Sequence, residues 1–189
     1  MDRGILQVAS ETVTLANSRA RAARVLCEAI EFSTSEALEF VDITDAVAAI
    51  VARSGVRFGQ VTVYSTHTTA AIKINENEPL LLEDLKQVLH KLAPCNEEYG
   101  HNDFRRRTVN MNEEECANGH SHCQHLFLSS SETIPIIEGR LMLGQWQCVF
   151  LVELDHPRHR RLLVNVVGIE GRRYSLLSVS PIAKAGRAG

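Results

Sequence analysis

Apolar and polar positions change period several times along this chain, and each change marks an element. Residues 29–34 (AIEFST) and 38–42 (LEFVD) alternate apolar with polar side chains, the pattern of half-buried strands, and the polar turn between them predicts a hairpin. A helix is predicted from about Asp45 to Arg53, capped by Asp42 or Thr44, with Ala46, Ala49, Ile50 and Val51 inward and Gly55 closing it. The β-branched run 61–64 (VTVY) and the apolar run 70–74 (AAIKI) read as strands on either side of Ser65-Thr66-His67-Thr68-Thr69. From Pro79, a residue suited to the first helical position, Leu81, Leu82, Leu85, Val88, Leu89 and Leu92 recur at helical spacing until Pro94 stops them. The apolar period then vanishes through residues 95–119, which read as a long loop of the kind that carries function or disorder. A short helix or extended turn is expected at 118–128. Strands follow at 133–137, 140–143, 146–154 and 161–167, the last two paired across the turn Asp155-His156-Pro157-Arg158. The order predicts an α+β fold, a mostly antiparallel, sandwich-like sheet with two or three helices.

Composition narrows the class without changing the fold. A chain of 189 residues that is 44% hydrophobic suffices for one domain with a real core, placed at residues 29–170, with an extension over 1–28 and a tail over 171–189. Within the extension, residues 13–15 suggest a short strand and the Arg/Ala-rich piece after them a helix. A formal net charge of −3 gives no general pull toward nucleic acid or an anionic membrane, and no apolar run approaches the roughly 20 residues that span a bilayer. The short basic runs Arg105-Arg106-Arg107 and Arg158 to Arg161 read as solvated faces. Five irregularly spaced cysteines do not make a secreted disulfide framework, and the first two dozen residues lack the compact apolar core of a secretory signal, so a cytoplasmic setting is expected.

Candidate chemistry lies in the histidines. Imidazole is the commonest ligand for zinc-like metals, and three imidazoles plus a water make the usual open catalytic arrangement. His67 among threonines, His101 in Tyr99-Gly100-His101-Asn102-Asp103, and His122 in Gly119-His120-Ser121-His122 are the candidate metal ligands. Their spacing matches no compact metal motif. A rival structural zinc knot from Cys116, His120, Cys123 and His125 lacks the short Cys pair such sites usually contain. Glu153 interrupts an otherwise apolar strand, and with Asp103 it is a candidate catalytic base. Asn75 and Asn77, in the polar knot Asn75-Glu76-Asn77-Glu78, and Trp146 with Gln147 after Gly144, are the candidate substrate-binding residues. Phosphate loops, dinucleotide fingerprints and nucleophile elbows are absent from the sequence.

These residues together resemble a known family. His67-Thr68-Thr69-Ala70 continuing to Asn75-Glu76-Asn77, then Tyr99-x-His101, Asn118 to His122, and Ile134-Pro135-Ile136-x-x-Gly139-Arg140-x-x-x-Gly144-x-Trp146-Gln147 with Glu153 and Asp155, are similar to the YjbQ-like proteins, the secondary thiamine-phosphate synthase family. The resemblance spans about residues 30–168. It implies a compact α+β sandwich-like homotrimer with His67, His101 and His122 gathered around a metal; three imidazoles suit a divalent zinc-like or other transition metal, while departure of a diphosphate is usually helped by magnesium, the alternative. It implies a small-molecule substrate and a thiamine-phosphate-synthase-like transferase. The residues leave two other readings open, a metal-dependent hydrolase of a small phosphorylated or carbonyl substrate and a metal-binding protein without turnover. The stretch 105–115 is longer than in the family's shorter members, and Arg105, Arg106 and Arg107 on it are candidates to clamp phosphate.

Overall fold

The computed structural model describes residues 23–170 apart from 112 and 114. The strand and helix suggested for the extension lie almost wholly outside these residues, as does the tail. The order is β1 (Ala23–Ser33), β2 (Phe40–Asp42), α1 (Thr44–Ser54), β3 (Phe58–Ser65), β4 (Ala70–Glu76), α2 (Pro79–Leu92), α3 (Gly119–His125), β5 (Ser131–Ile137), β6 (Arg140–Leu141), β7 (Gln147–Glu153) and β8 (His159–Ile169). A single 3-10 turn, Gly100–Asn102, interrupts the loop before α3. β1 begins six residues before the domain was expected to start, and it pairs with β8 along its whole length.

Every strand pairing is antiparallel. One sheet has the order β1-β8-β3-β5-β6 and the other β2-β7-β4. Alternate residues Val61 and Val63 on β3, Ile134 and Ile136 on β5, and Leu162, Val164 and Val166 on β8 face Ile72, Val149 and Leu151 of the smaller sheet, with α1 closing the side. The other face of the smaller sheet carries Ala71, Phe150 and Val152 and is covered by Leu82 and Leu89 of α2. β7 is therefore buried on both faces, which explains its apolar run from Cys148 to Val152. Each side chain such as Phe150 contributes roughly 1.5–3 kcal/mol by leaving water.

The helices form where expected, but α1 starts differently: its N-cap is Ile43 with no side-chain cap, and Asp42 instead accepts the Thr44 amide at 2.9 Å. Its buried positions are Val47, Ile50, Val51 and Ser54, with Ala49 exposed because the helix presents a rotated face to the core. Gly55 adopts a left-handed conformation with φ 72° and ends α1. Glu78 caps α2 by accepting from the amides of Leu80 and Leu81, and Pro79 sits at its start. Two pairings expected from the sequence do not form. β1 and β2 belong to different sheets and make no hairpin, and β8 pairs with β1 and β3, not with β7. Sequence neighbours pair when a tight turn joins them. Here residues 34–39 and 154–158 instead carry the chain from one sheet to the other, and so do residues 66–69 between β3 and β4. Hydrogen bonds tie the three crossings together at one end of the sandwich: the Thr34 hydroxyl donates to Glu153 at 2.9 Å, the Arg158 amide donates to that hydroxyl at 2.9 Å, and the Leu154 amide donates to the Thr69 carbonyl at 3.1 Å.

Candidate functional site

A cleft of about 500 Å³ opens at this end, lined by Thr66, His67, Thr68, Thr69, His101 and Arg107 on one part and Asn110, Glu115, Asn118, His122, Arg158 and Arg160 on the other. The three histidines singled out from the sequence thus share one cavity, although 55 residues separate the first from the last by number (122 − 67).

His67 stands on the crossing between β3 and β4. Its Nε2 accepts the Arg161 amide at 2.8 Å, and the neighbouring Thr66 hydroxyl donates to the Arg161 carbonyl at 2.9 Å, so Thr66 and His67 grip both backbone polar groups of one β8 residue. A neutral imidazole that accepts at Nε2 carries its proton on Nδ1. His101 is placed by the 3-10 turn, which Asn102 ties to α3 by accepting the Gly119 amide at 2.8 Å. Gly119 is required there, since a Cβ would stand 2.6 Å from that of Tyr99. α3 is anchored in turn: the Ser121 hydroxyl donates to the Leu154 carbonyl at 2.6 Å, and Gln124 donates to the Leu89 and Ala93 carbonyls at 3.3 and 3.0 Å. His101 and His122 are thereby held ring to ring, centroids 4.6 Å apart. Nε2 of His101 and Oδ1 of Asn118 are buried without a hydrogen-bond partner. Such atoms are costly to leave unpaired and point to a ligand or ordered water.

The carboxylates sit differently from expectation. Glu153 is fully buried and outside the cleft. It receives Arg160 through two nitrogens, the Nε bond being 2.6 Å, and also the Thr34 hydroxyl and the Asp155 amide. With both oxygens occupied, Glu153 holds a guanidinium; it has no free lone pair aimed at the cavity. Asp103 closes the 3-10 turn and accepts the Arg105 amide at 3.2 Å, also away from the cleft. The four substrate-binding candidates lie at the far end of the smaller sheet. Ala70 pairs with Glu153 while Asn75 pairs with Cys148 and Glu76 with Gln147, and six residues of strand cover about 20 Å. There Asn77 donates to Asp42 at 3.0 Å, Asn75 accepts the Glu76 amide at 2.9 Å, Gln147 accepts the Gly144 amide at 2.7 Å, and Trp146 is 64% exposed.

Arg158 and Arg160, which the sequence presents as part of a short basic run, are functional residues that sequence reasoning misses. Arg160 is 3% exposed and donates to Thr69 Oγ1 at 3.0 Å as well as to Glu153. The signal was available: Arg160 falls in the same alternation as the inward Leu162, Val164 and Val166. Arg107 bonds Glu115, and Arg105 and Arg106 lie outside the cleft. The rival zinc knot does not assemble; Cys123 is exposed and Cys116 lies instead against Asp155 and His156.

Electrostatics favour neutral imidazoles. Burial pushes His67 below its ordinary value, assisted by the Arg160 charge and opposed by Glu153. His122 is lowered by burial and by His101, and His120 and His125 by burial. A histidine lowered on folding binds its proton more weakly folded than unfolded. Its contribution is therefore complete above the unfolded value near 6.5 and is lost as pH falls through the folded one. The metal-free protein should show a falling Tm in calorimetry from pH 7 to pH 5; a flat or rising Tm would contradict this assignment.

Fold and cleft together define an antiparallel α+β sandwich with a histidine- and arginine-lined site at the end where the chain changes sheets. The model of the family described as UPF0047 protein YjbQ-like matches residues 28–169, and the chain belongs to that family. A UPF0047 protein of Methanothermobacter thermautotrophicus is 39% identical over 144 residues, covering 76% of this chain and 93% of the relative. One from Archaeoglobus fulgidus is 35% identical over 138 residues, covering 73% and 98%. Among solved structures, a YbjQ-like protein of Sulfolobus solfataricus superposes with a TM-score of 0.70 at 35% identity over 78% of this chain and 99% of that one. A Clostridium acetobutylicum protein of the yjbq/upf0047 family gives 0.65 at 34% over 74% and 98%. No helix among the described residues is long and apolar enough to cross a membrane.

Proposed function

We propose that the cleft is the active site of a metal-dependent hydrolase of a small phosphorylated substrate. The observation that carries this reading is the meeting, in one cavity, of three imidazoles with Arg107, Arg158 and Arg160. Imidazole donors suit zinc-class metals better than magnesium, and among the described residues the one carboxylate lining the cleft, Glu115, is already held by Arg107. His101 and His122 would hold the metal through adjacent rings, His101 offering its unpartnered Nε2. The three imidazoles do not form a group with all ligand atoms within 4.8 Å, so His67 would become the third ligand only by releasing the Arg161 amide. Bound there, a zinc-class ion supplies Lewis-acid polarisation of a phosphoryl oxygen and an acidified water. The chain's own groups do the rest. Arg107, Arg158 and Arg160, each paired with a carboxylate (Glu115, Asp155 and Glu153), offer their remaining N–H groups to the oxyanion, and the hydroxyls of Thr68 and Thr69 offer further donors.

The transferase suggested by the family resemblance is the second reading. It is favoured by three guanidinium groups around one cleft, more than a monophosphate needs and suited to a departing diphosphate. We further propose the homotrimer as the assembled form, supported by the exposed apolar side chains Val25, Tyr64, Ile137 and Val167 on the outer face of the larger sheet. A monomer mass by light scattering would remove that part.

The test is metal analysis of purified protein followed by assay of the zinc-loaded form. Phosphate release from simple monoesters supports the hydrolase. Coupling of a pyrimidine diphosphate to a thiazole phosphate with pyrophosphate release supports the transferase. Absence of both bound metal and phosphate binding by calorimetry overturns both.

A further inference from the structure

Outside the histidine cleft, one group of side chains meets with mixed sulfur, oxygen and nitrogen donors. Cys116 Sγ lies 3.8 Å from His156 Nδ1 and 3.9 Å from Asp155 Oδ2, and His156 Nδ1 lies 3.0 Å from Asp155 Oδ1. Among the described residues it is the cluster whose potential ligand atoms all fall within 4.8 Å of one another. A tetrahedral zinc-class ion, about 2.3 Å from sulfur and 2.0–2.2 Å from nitrogen and oxygen, keeps its donors roughly 3.4–3.6 Å apart; the Cys116–His156 separation of 3.8 Å is close to that span, and the Asp155 carboxylate lies within reach of both. We propose that Cys116, Asp155 and His156 form a separate site for a thiophilic divalent cation of the zinc class, which fastens the loop before α3 to the turn between β7 and β8.

The surroundings fit an ion. Asp155 is 5% exposed, and its Oδ2 accepts Asn118 at 3.0 Å and Arg158 at 2.9 Å, which fixes the carboxylate and leaves Oδ1 facing His156. Burial works to raise the Asp155 carboxyl, but the bonds from Asn118, His156 and Arg158 outweigh it, so the group stays ionised well into acid. The arginine also donates to Cys116 Sγ at 3.2 Å. It offsets one of the two negative charges that thiolate and carboxylate would bring, leaving net attraction for a dication. His156 is half exposed, which gives the ion an entry path. Three protein donors leave a fourth position open to water.

Binding is an exchange of ions. Without metal the Nδ1 proton of His156 bridges to Asp155; with metal that proton moves to the solvent-facing Nε2, and the thiol proton leaves to solvent. Burial and the Asp155 charge push the Cys116 thiol above its ordinary value, against Arg158, with Glu115 adding to the rise. One proton is released for each ion bound. The anchored segment carries Glu115 and Asn118, both walls of the cleft, so the ion would hold the cleft's shape without touching its histidines.

Cobalt(II) added to the full chain tests this, because a sulfur-to-cobalt charge-transfer band in the near ultraviolet arises only from a thiolate ligand and is silent for an imidazole site. The expected result is a band in the wild type, lost in Cys116→Ser, and at least about tenfold weaker cobalt affinity in His156→Ala, an exposed position whose variant should fold. Zinc should also protect Cys116 from alkylation, read by peptide mass. Absence of the band in the wild type, or an undiminished band in Cys116→Ser, overturns the proposal and leaves the histidine cleft untouched.

Discussion

Replacing Glu153 with Ala should lower unfolding free energy by about 3–5 kcal/mol, because it strands the Arg160 guanidinium inside the protein without its partner. Glu153 is fully buried and Arg160 is 3% exposed, so neither charge can turn to water without opening the sandwich end. A loss of that size is a large share of the roughly 5–15 kcal/mol that holds a domain of this kind together. Thr34→Val removes one hydrogen bond to the same carboxylate and should cost about 1 kcal/mol. Joint replacement of Glu153 and Arg160 by Met should recover much of the loss, since an apolar pair leaves no charge unpaired. Urea denaturation of the four proteins decides the matter: a Glu153→Ala penalty below that of Thr34→Val would mean that the pair carries no structural load. Arg160 also lines the cleft, so the joint variant should fold and yet bind oxyanions poorly.

The second large effect concerns the histidines. His101→Ala and His122→Ala should each weaken zinc binding by more than the roughly 10–100-fold lost when a mere supporting partner of a ligand is removed. His67→Ala should weaken it less, because that ring already accepts the Arg161 amide and must release it before Nε2 can reach a metal. His67→Gln, which keeps an acceptor for that amide, separates the two roles of the ring. Wild-type metal affinity in His67→Gln with impaired phosphate binding would assign His67 to the oxyanion alone. His90, exposed on α2, is the control, and its Ala variant should bind zinc as the wild type does. Equal zinc affinity across all these variants by equilibrium dialysis would remove the histidines from any metal site.

How much of this was legible beforehand follows from the range of the forces involved. Both major helices were readable because their signals are local: Gly55 and Pro79 act on their own backbone, and the leucine spacing of α2 acts within a few turns. The strands were readable for the same reason. Their partners were not, since alternation tells which face is buried and says nothing of which sheet a strand joins. The run at β7 was legible as apolar, but only the second layer made by α2 explains why both its faces are covered. Glu153 was noticed as an interruption in that run; its engagement by Arg160 follows from the crossing at residues 154–158, which lays β8 in the opposite sheet with Arg160 facing inward. Asn75, Asn77, Trp146 and Gln147 read from sequence as a pocket because polar and aromatic groups interrupt apolar strands there, and the register of β4 with β7 sets them at the other end of the sheet from the histidines.

By itself the chain's order of residues determined the fold class, the two long helices, the strand positions and the three histidines worth watching, because each of these rests on interactions spanning a few neighbouring residues. Only the tertiary structure decided that those histidines share a cavity, that Arg158 and Arg160 join them, and that Glu153 and Asp103 do not. Such meetings depend on where three crossings between sheets converge, and convergence is set by the packing of two layers about a common core, a property no local window of sequence contains.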